Sequence, residues 1–332
     1  MKQFDLKNFN DEVFLAYTKN IEDPVKTSLI EAGVFYDDNE IALKFPAQVG
    51  GNYATRPITG LLSGDAIDLD GNTDIDEGEL NTYSQGIVAM HMGKSFTEKD
   101  FTYNLTGKDF MAQVAEQVAR YWQKQDQKKM LSILKGIFAS ALSGSIVAKT
   151  EVNATDVIDA VRGIGGDNAD LFKVCFMDSV IAGILEKSEK LTYALYNDAN
   201  GLQRQSNIAY WNGRLVIVND ACPVSDAGEG KHTHRVFFLG ERAFARCELP
   251  ELYPAEMARE SKKNGGQTSL VTRHGLVLAP EGVSFKQSAL ASTNKVTNAM
   301  LETGSNWEVV NDGDGHAVDK KNIPFCAIDY TI

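Results

Sequence analysis

Between Thr106 and Leu142 apolar side chains recur at helical spacing for far longer than in an ordinary globular helix. The stripe runs Phe110, Val114, Val118, Tyr121 and Trp122, then Met130, Leu134, Phe138 and Leu142. Gln113, Glu116, Gln123, Lys124, Gln127 and Lys128 fall elsewhere on the circumference. Thr106-Gly107-Lys108-Asp109 supplies a start, with a hydroxyl to cap the first turn and a carboxylate three residues on to answer a free backbone amide. Gly144 is the first plausible stop. The pattern predicts a helix over about 107–142, roughly 35 residues and roughly 50 Å at its 1.5 Å rise. Gln125 and Asp126 interrupt the stripe, and a bend is expected there.

The chain before this helix has little core of its own. Within residues 1–45, Val13, Phe14 and Tyr17 share one helical face, too little apolar surface to stand alone. From Gln48 to Asn104 glycines punctuate a polar run, which reads as an extended, loop-rich excursion or a long hairpin. Loops of this length are rare in compact domains unless they serve a function.

After the helix the pattern becomes mixed. Ala154 to Arg162 is an amphipathic helix, Leu171 to Met177 a buried strand, and Ser179 to Lys187 a second helix. Asn207–Tyr210, Arg214–Val218 and Arg235–Gly240 read as strands, the first two joined through Asn212-Gly213, a strong hairpin signal. A break at 261–266 precedes a pair of strands, Thr268–His274 and Leu276–Ala279, and the chain closes with a helix over 294–302 and a strand over 323–332. The fold class expected is α+β, a mixed α/β chain of several modules.

Composition excludes several functions. With 43% hydrophobic and 23% charged residues in 332, the chain is able to bury a core. A net charge of −12 argues against gripping nucleic acid through phosphate neutralisation. Cys175, Cys222, Cys247 and Cys326 are isolated, which suggests neither a zinc site nor a disulfide framework and implies a reducing compartment. Neither a signal peptide nor a membrane-spanning run is legible, so a soluble, cytoplasmically made protein with no membrane partner is expected.

Few segments carry chemistry. Asp68, Asp70, Asn72, Asp74, Asp76 and Glu79 match the oxygen spacing of a calcium loop, but Thr73 stands where the turn needs glycine and neither flank is helical. A solvated acidic loop tip is the default reading, as a plain turn is for Asn311-Asp312-Gly313-Asp314-Gly315. Gly93-Lys94-Ser95 lacks the upstream glycine of a phosphate loop, and Gly163-Ile164-Gly165-Gly166 follows a helix, the wrong context for a dinucleotide. His232 and His234 read as an exposed loop pair without a partner ligand, and the three tryptophans read as packing residues. No catalytic residues and no cofactor are expected.

The order of parts resembles the major capsid proteins of tailed bacteriophages, which share the Hong Kong 97-like fold. Glu31-Ala-Gly-Val-Phe35 and Gly50-Gly-Asn-Tyr-Ala-Thr-Arg-Pro57 look like the family's passage from arm to extended loop. Phe101-Thr-Tyr-Asn-Leu-Thr-Gly-Lys-Asp109, Val118-Ala-Arg-Tyr-Trp122 and Leu131-Ser-Ile-Leu-Lys-Gly-Ile-Phe138 are similar to its spine helix. Tyr210-Trp-Asn-Gly-Arg-Leu-Val-Ile-Val-Asn-Asp220, Phe237-Phe-Leu-Gly-Glu-Arg-Ala-Phe244 and Thr272-Arg-His-Gly-Leu-Val-Leu-Ala-Pro-Glu-Gly-Val-Ser-Phe285 look like its later strands.

The resemblance implies an N-terminal arm (1–45), an extended loop (46–105), a peripheral domain with the spine helix (106–152 and 250–290) and an axial domain (153–249). A C-terminal segment (291–332) would pack on either domain. It implies a non-enzymatic subunit that assembles with itself into pentamers and hexamers of an icosahedral or prolate head around double-stranded DNA, without sequence-specific contacts. The expected partners are a separate scaffolding protein, a portal protein and decoration proteins, and the expected location is the virion capsid after assembly in the host cytoplasm. Lys94 and Lys99 are candidate donors for the loop cross-link of some members, but no acceptor aligns and no cross-link is expected. The alternatives are an encapsulin-like compartment shell, an α/β enzyme with a long lid loop and, for the acidic loop alone, a calcium-regulated surface protein.

Overall fold

The computed structural model describes residues 29–38, 40, 41, 43, 45, 51–59, 82–100, 110–197, 203–291, 293–311 and 317–332. Strands β1 (Phe35–Asp37), β2 (Tyr53–Thr59) and β3 (Thr82–Lys99) precede helix α1 (Phe110–Ala139). The middle of the chain holds β4 (Ile146–Lys149), α2 (Asp156–Gly165), β5 (Phe172–Met177), α3 (Ser179–Lys187), β6 (Thr192–Asn197), β7 (Gln203–Trp211) and β8 (Arg214–Val218). It ends with β9 (Val224–Gly228), β10 (Lys231–Gly240), β11 (Phe244–Leu249), β12 (Ala255–Glu260), β13 (Gln267–Pro280), β14 (Val283–Phe285), α4 (Asn298–Glu302), β15 (Trp307–Val309) and β16 (Phe325–Thr331).

Among the described residues these strands form two large sheets and one small one. A six-stranded sheet has the order β1-β11-β13-β3-β2, with β12 also on β13. An eight-stranded sheet runs β4-β16-β10-β5-β8-β7-β6, with β9 also on β10, and β14 pairs with β15. In the eight-stranded sheet β10 alternates Val236 and Phe238 toward one face with Phe237 and Leu239 toward the other, all fully buried. Burial on both faces is why the run reads as continuously apolar.

One helix joins the two sheets. The C-terminal part of α1, with Met130, Ile133, Leu134, Ile137 and Phe138, shares a core with Val174, Phe176 and Phe237 of the eight-stranded sheet and with Leu276 and Leu278 of β13. Its earlier part lays Val118 and Trp122 against Ala255, Met257 and Leu270 of β12 and β13 and Phe96 of β3. The opposite face of the eight-stranded sheet is covered by α2 and α3 through Val157, Val161, Ile181 and Leu185. Gly136 is needed on α1 because a Cβ there would strike the Leu301 carbonyl and the Trp307 indole, whose Nε1 donates to that same carbonyl at 2.7 Å.

Several expectations hold in detail. The helix runs unbroken over Phe110–Ala139, although its expected cap at Thr106 lies outside the described residues. Asn212 and Gly213 both have positive φ, 50° and 78°, as the tight turn between β7 and β8 requires. Gly166, at φ 56°, stops α2.

Other expectations are corrected. The helix continues without interruption through Gln125 and Asp126, and Asp126 meets His274 Nε2 at 3.1 Å. The pair Thr268–His274 and Leu276–Ala279 is one strand of 14 residues. Gly275 lies within it because a Cβ would come within 2.8 Å of Glu251 Oε1, so this glycine marks a close approach rather than a turn. Of the two readings of residues 48–104, the long hairpin is the one found, β2 pairing antiparallel with β3, but it is less loop-like than expected, since the run from Gln85 to Met90 is buried. The last helix covers only Asn298–Glu302, with Thr297 as its cap. β16, in the C-terminal segment, is an inner strand between β4 and β10, and β11, from the expected axial span, lies in the six-stranded sheet.

Candidate assembly surface

The hairpin β2–β3 leaves the six-stranded sheet from a root built of buried polar groups. Arg56 is 8% exposed, donating from Nη1 to Tyr36 Oη at 2.8 Å and from Nη2 to Glu281 Oε2 at 2.6 Å, with Asp38 Oδ2 3.3 Å away. Burial opposes the Arg56 charge, but Glu281 and Tyr36 outweigh it and its pKa rises. The Tyr36 hydroxyl is held above its ordinary pKa by burial and by Glu281, and the Arg242 guanidinium lies 4.3 Å over its ring. One arginine thus ties β2 to β1 and to the turn after β13.

The β3 side of the root is fixed by backbone acceptors. Gln85 Nε2 donates to Pro280 O at 2.6 Å and Val283 O at 2.8 Å, and Gly86 N donates to Ser284 Oγ at 2.8 Å. A Cβ at Gly86 would collide with the Tyr53 hydroxyl and the Phe285 carbonyl. Sequence patterning cannot reveal such contacts, because every partner lies far along the chain.

Beyond Val88 the strand changes neighbours. β2 pairs residues 82–88, whereas β13 pairs residues 89–99. Lys94 and Lys99 are both exposed on this second stretch, and among the described residues neither is in an ion pair. Gly93-Lys94-Ser95 is therefore a strand segment, as the failed match to a phosphate loop implies. A second exposed feature is the turn between β11 and β12, where Leu252 is 84% exposed and Arg273 Nη1 holds the Tyr253 carbonyl at 2.7 Å.

The end of the eight-stranded sheet gathers titratable groups without making a catalytic site. His234 is not in an exposed loop: it is buried on β10 and its Nδ1 bonds Asp178, which also caps α3 through Ile181 N at 3.2 Å. His232 remains exposed, its ring 6.5 Å from that of His234. Burial, helped by Asp178, pushes the Cys222 thiol up to about 12, so no thiolate nucleophile exists there near neutral pH. Burial likewise raises Cys175 and Cys326. Tyr330, raised by burial and by Asp156, donates to Asp156 Oδ2 at 3.1 Å.

Among the described residues no group of three or more His, Cys, Asp or Glu side chains is placed to hold a metal, and no helix is long and apolar enough to cross a membrane. The calcium-loop candidates Asp68, Asp70, Asn72, Asp74, Asp76 and Glu79 lie outside the described residues, as do Val13, Phe14, Tyr17 and Asp312 to Gly315. Trp211 and Trp307 are core residues, as expected.

No family model matches the chain. The major capsid protein of Bacillus phage SPP1 is 27% identical over 307 residues, 91% of this chain and 92% of that protein. Among solved structures, the capsid of Helicobacter pylori bacteriophage KHP30 matches with a TM-score of 0.54 at 13% identity, over 90% of this chain and 86% of the other. The capsid of Ralstonia phage GP4 matches with a TM-score of 0.52 at 11% identity, over 76% and 84%.

Proposed function

We infer, from matches in sequence and fold that span most of the chain, that this protein is a bacteriophage major capsid protein of the Hong Kong 97-like fold, a structural subunit rather than an enzyme. Its relatives are capsid proteins, which favours a self-assembling shell subunit in the virion over an encapsulin-like compartment or a lidded enzyme.

The finer reading is that copies assemble into pentamers and hexamers of a head enclosing double-stranded DNA, in the host cytoplasm, with a scaffolding protein, a portal and decoration proteins. In this reading α1 is the spine of a peripheral domain, the eight-stranded sheet holds the axial domain, and residues 1–45 and 46–105 clasp adjacent subunits. The net charge of −12 suits a wall that contains DNA without adhering to it.

The observation that carries the reading is the hairpin root. Arg56, Gln85 and Gly86 lock the base of β2–β3 to β1, β13 and β14, so the 22 residues between the two strands leave from a rigid platform. Deleting residues 66–80 is expected to leave a folded subunit that no longer assembles. Circular dichroism with negative-stain microscopy, with and without a candidate scaffold, tests this. Loss of the subunit's own fold on deletion counts against the clasp, and a stable monomer of the intact chain at every concentration sinks the capsid reading.

A further inference from the structure

Burying a hydrogen-bonding group without a partner is costly, so such groups are rare and each calls for a physical reason. Among the described residues four buried side-chain atoms lack a partner within the chain: Arg56 Nε, Gln85 Oε1, Trp211 Nε1 and Arg214 Nε. They are not scattered. Arg56 stands directly opposite Gln85 across β2 and β3, and Trp211 directly opposite Arg214 across β7 and β8. Directly opposed residues place their side chains on the same face of a sheet, with Cβ atoms about 4.5–5.5 Å apart. The four atoms therefore belong to two cross-strand pairs, one in each large sheet.

The two pairs differ in chemistry. Arg56 and Gln85 offer one donor and one acceptor, and the Arg56 charge is already met by Glu281 and Asp38. A neutral water is sufficient for such a pair. Trp211 and Arg214 offer two donors and no acceptor. Trp211 is 1% exposed, and an indole nitrogen only donates. Arg214 directs Nη1 to the Asn212 carbonyl at 3.0 Å and Nη2 to the Ala169 carbonyl at 3.4 Å, both uncharged, which leaves Nε.

No carboxylate is bonded to the Arg214 guanidinium among the described residues. Burial lowers its pKa, as expected for a cation held away from water without a bonded counter-charge. Cys175 and Cys326 lie near enough to influence it, but burial raises both thiols, which are therefore uncharged near neutral pH. Asp170 and Arg162 act on it in opposite senses. Two free donors and an unmatched positive charge suit a ligand that is negative, accepts only, and fits between two side chains.

We propose that the Trp211–Arg214 pair binds a small monovalent anion of halide size, which accepts from Trp211 Nε1 and Arg214 Nε. The anion satisfies both donors, balances the guanidinium, and so ties the turn between β7 and β8 to the chain at Ala169. The site lies within one copy of the chain and is independent of the shell-subunit reading.

The test follows the indole N–H signals of the unassembled subunit by nitrogen–proton correlation spectroscopy while sodium chloride replaces sodium gluconate at constant ionic strength. Trp211→Phe assigns the signal. Trp307 is the internal control, since its Nε1 already donates to the Leu301 carbonyl at 2.7 Å. The expected result is a saturable shift of the Trp211 signal with chloride, a steady Trp307 signal, and loss of the saturable shift in Arg214→Gln, with circular dichroism to verify folding. Arg214→Lys, which keeps the charge but lacks the Nε donor, is expected to bind chloride about tenfold more weakly, the scale of one lost charge-assisted hydrogen bond. Chloride should also raise the denaturation midpoint of wild type and not that of Arg214→Gln, because only the folded chain binds it. A Trp211 signal indifferent to both chloride and bromide means that water alone occupies the site and overturns the proposal, whether or not the variants fold. A saturable shift that persists in folded Arg214→Gln, or that Trp307 shares, overturns it as well.

Discussion

The two large sheets both bury apolar faces, but they combine this with directional ties in different proportions. The eight-stranded sheet buries both faces in side chains such as Phe176, Trp211, Phe237, Phe238 and Tyr330. The six-stranded sheet relies more on specific ties: Arg56 to Glu281, Gln85 to two carbonyls, Arg246 to Asp37 at 3.2 Å, and Arg259 to Asp100 at 2.6 Å. In the first, large non-directional burial carries most of the stability. In the second, directional bonds add to burial and tie β2 and β3 to β1, β13 and β14.

If this contrast is right, truncation should cost most in the first sheet. Trp211→Ala is expected to lose about 3–5 kcal/mol in denaturant unfolding of unassembled subunits, since a large buried side chain leaves a cavity. A loss under 1 kcal/mol would break the comparison. In the second sheet Gly86→Ala should cost less, about 1–3 kcal/mol, because the new Cβ meets backbone that has to shift. Its signature is local: faster amide exchange over 53–59 and 82–88 with the eight-stranded sheet unchanged.

The smallest effect has the opposite sign. Lys129 is buried on α1, its Nζ donating to the Val296 carbonyl at 3.3 Å, and burial, with Lys128 beside it, lowers its pKa. Between that lowered value and the ordinary ~10.4 the unfolded chain binds a proton that the folded chain does not, so stability rises with pH through this window. Lys129→Met removes the cost of the buried charge and is expected to stabilise the subunit at neutral pH by up to about 1 kcal/mol. The gain should shrink as the pH approaches 10. A variant less stable than wild type at pH 7 would show that the bond to Val296 outweighs the burial of charge.

The amino-acid sequence by itself determined the elements whose signals are local. The α1 stripe, the Asn212-Gly213 turn, the glycine stop of α2 and the strands β5, β8 and β10 follow from periodicity and backbone preference between near neighbours. Such signals also supported the resemblance that the fold match later bore out. Only the tertiary structure decided what depends on distant partners. It made β13 one strand through Gly275, buried His234 against Asp178, and inserted β16 between β4 and β10. It also assembled the hairpin root from Tyr36, Arg56, Gln85 and Glu281. Arg56 and Glu281 are 225 positions apart, and no local pattern encodes which acid a buried arginine will meet. Periodicity reports which face of an element is apolar, whereas the partner of a buried polar group is set only when the sheets come together.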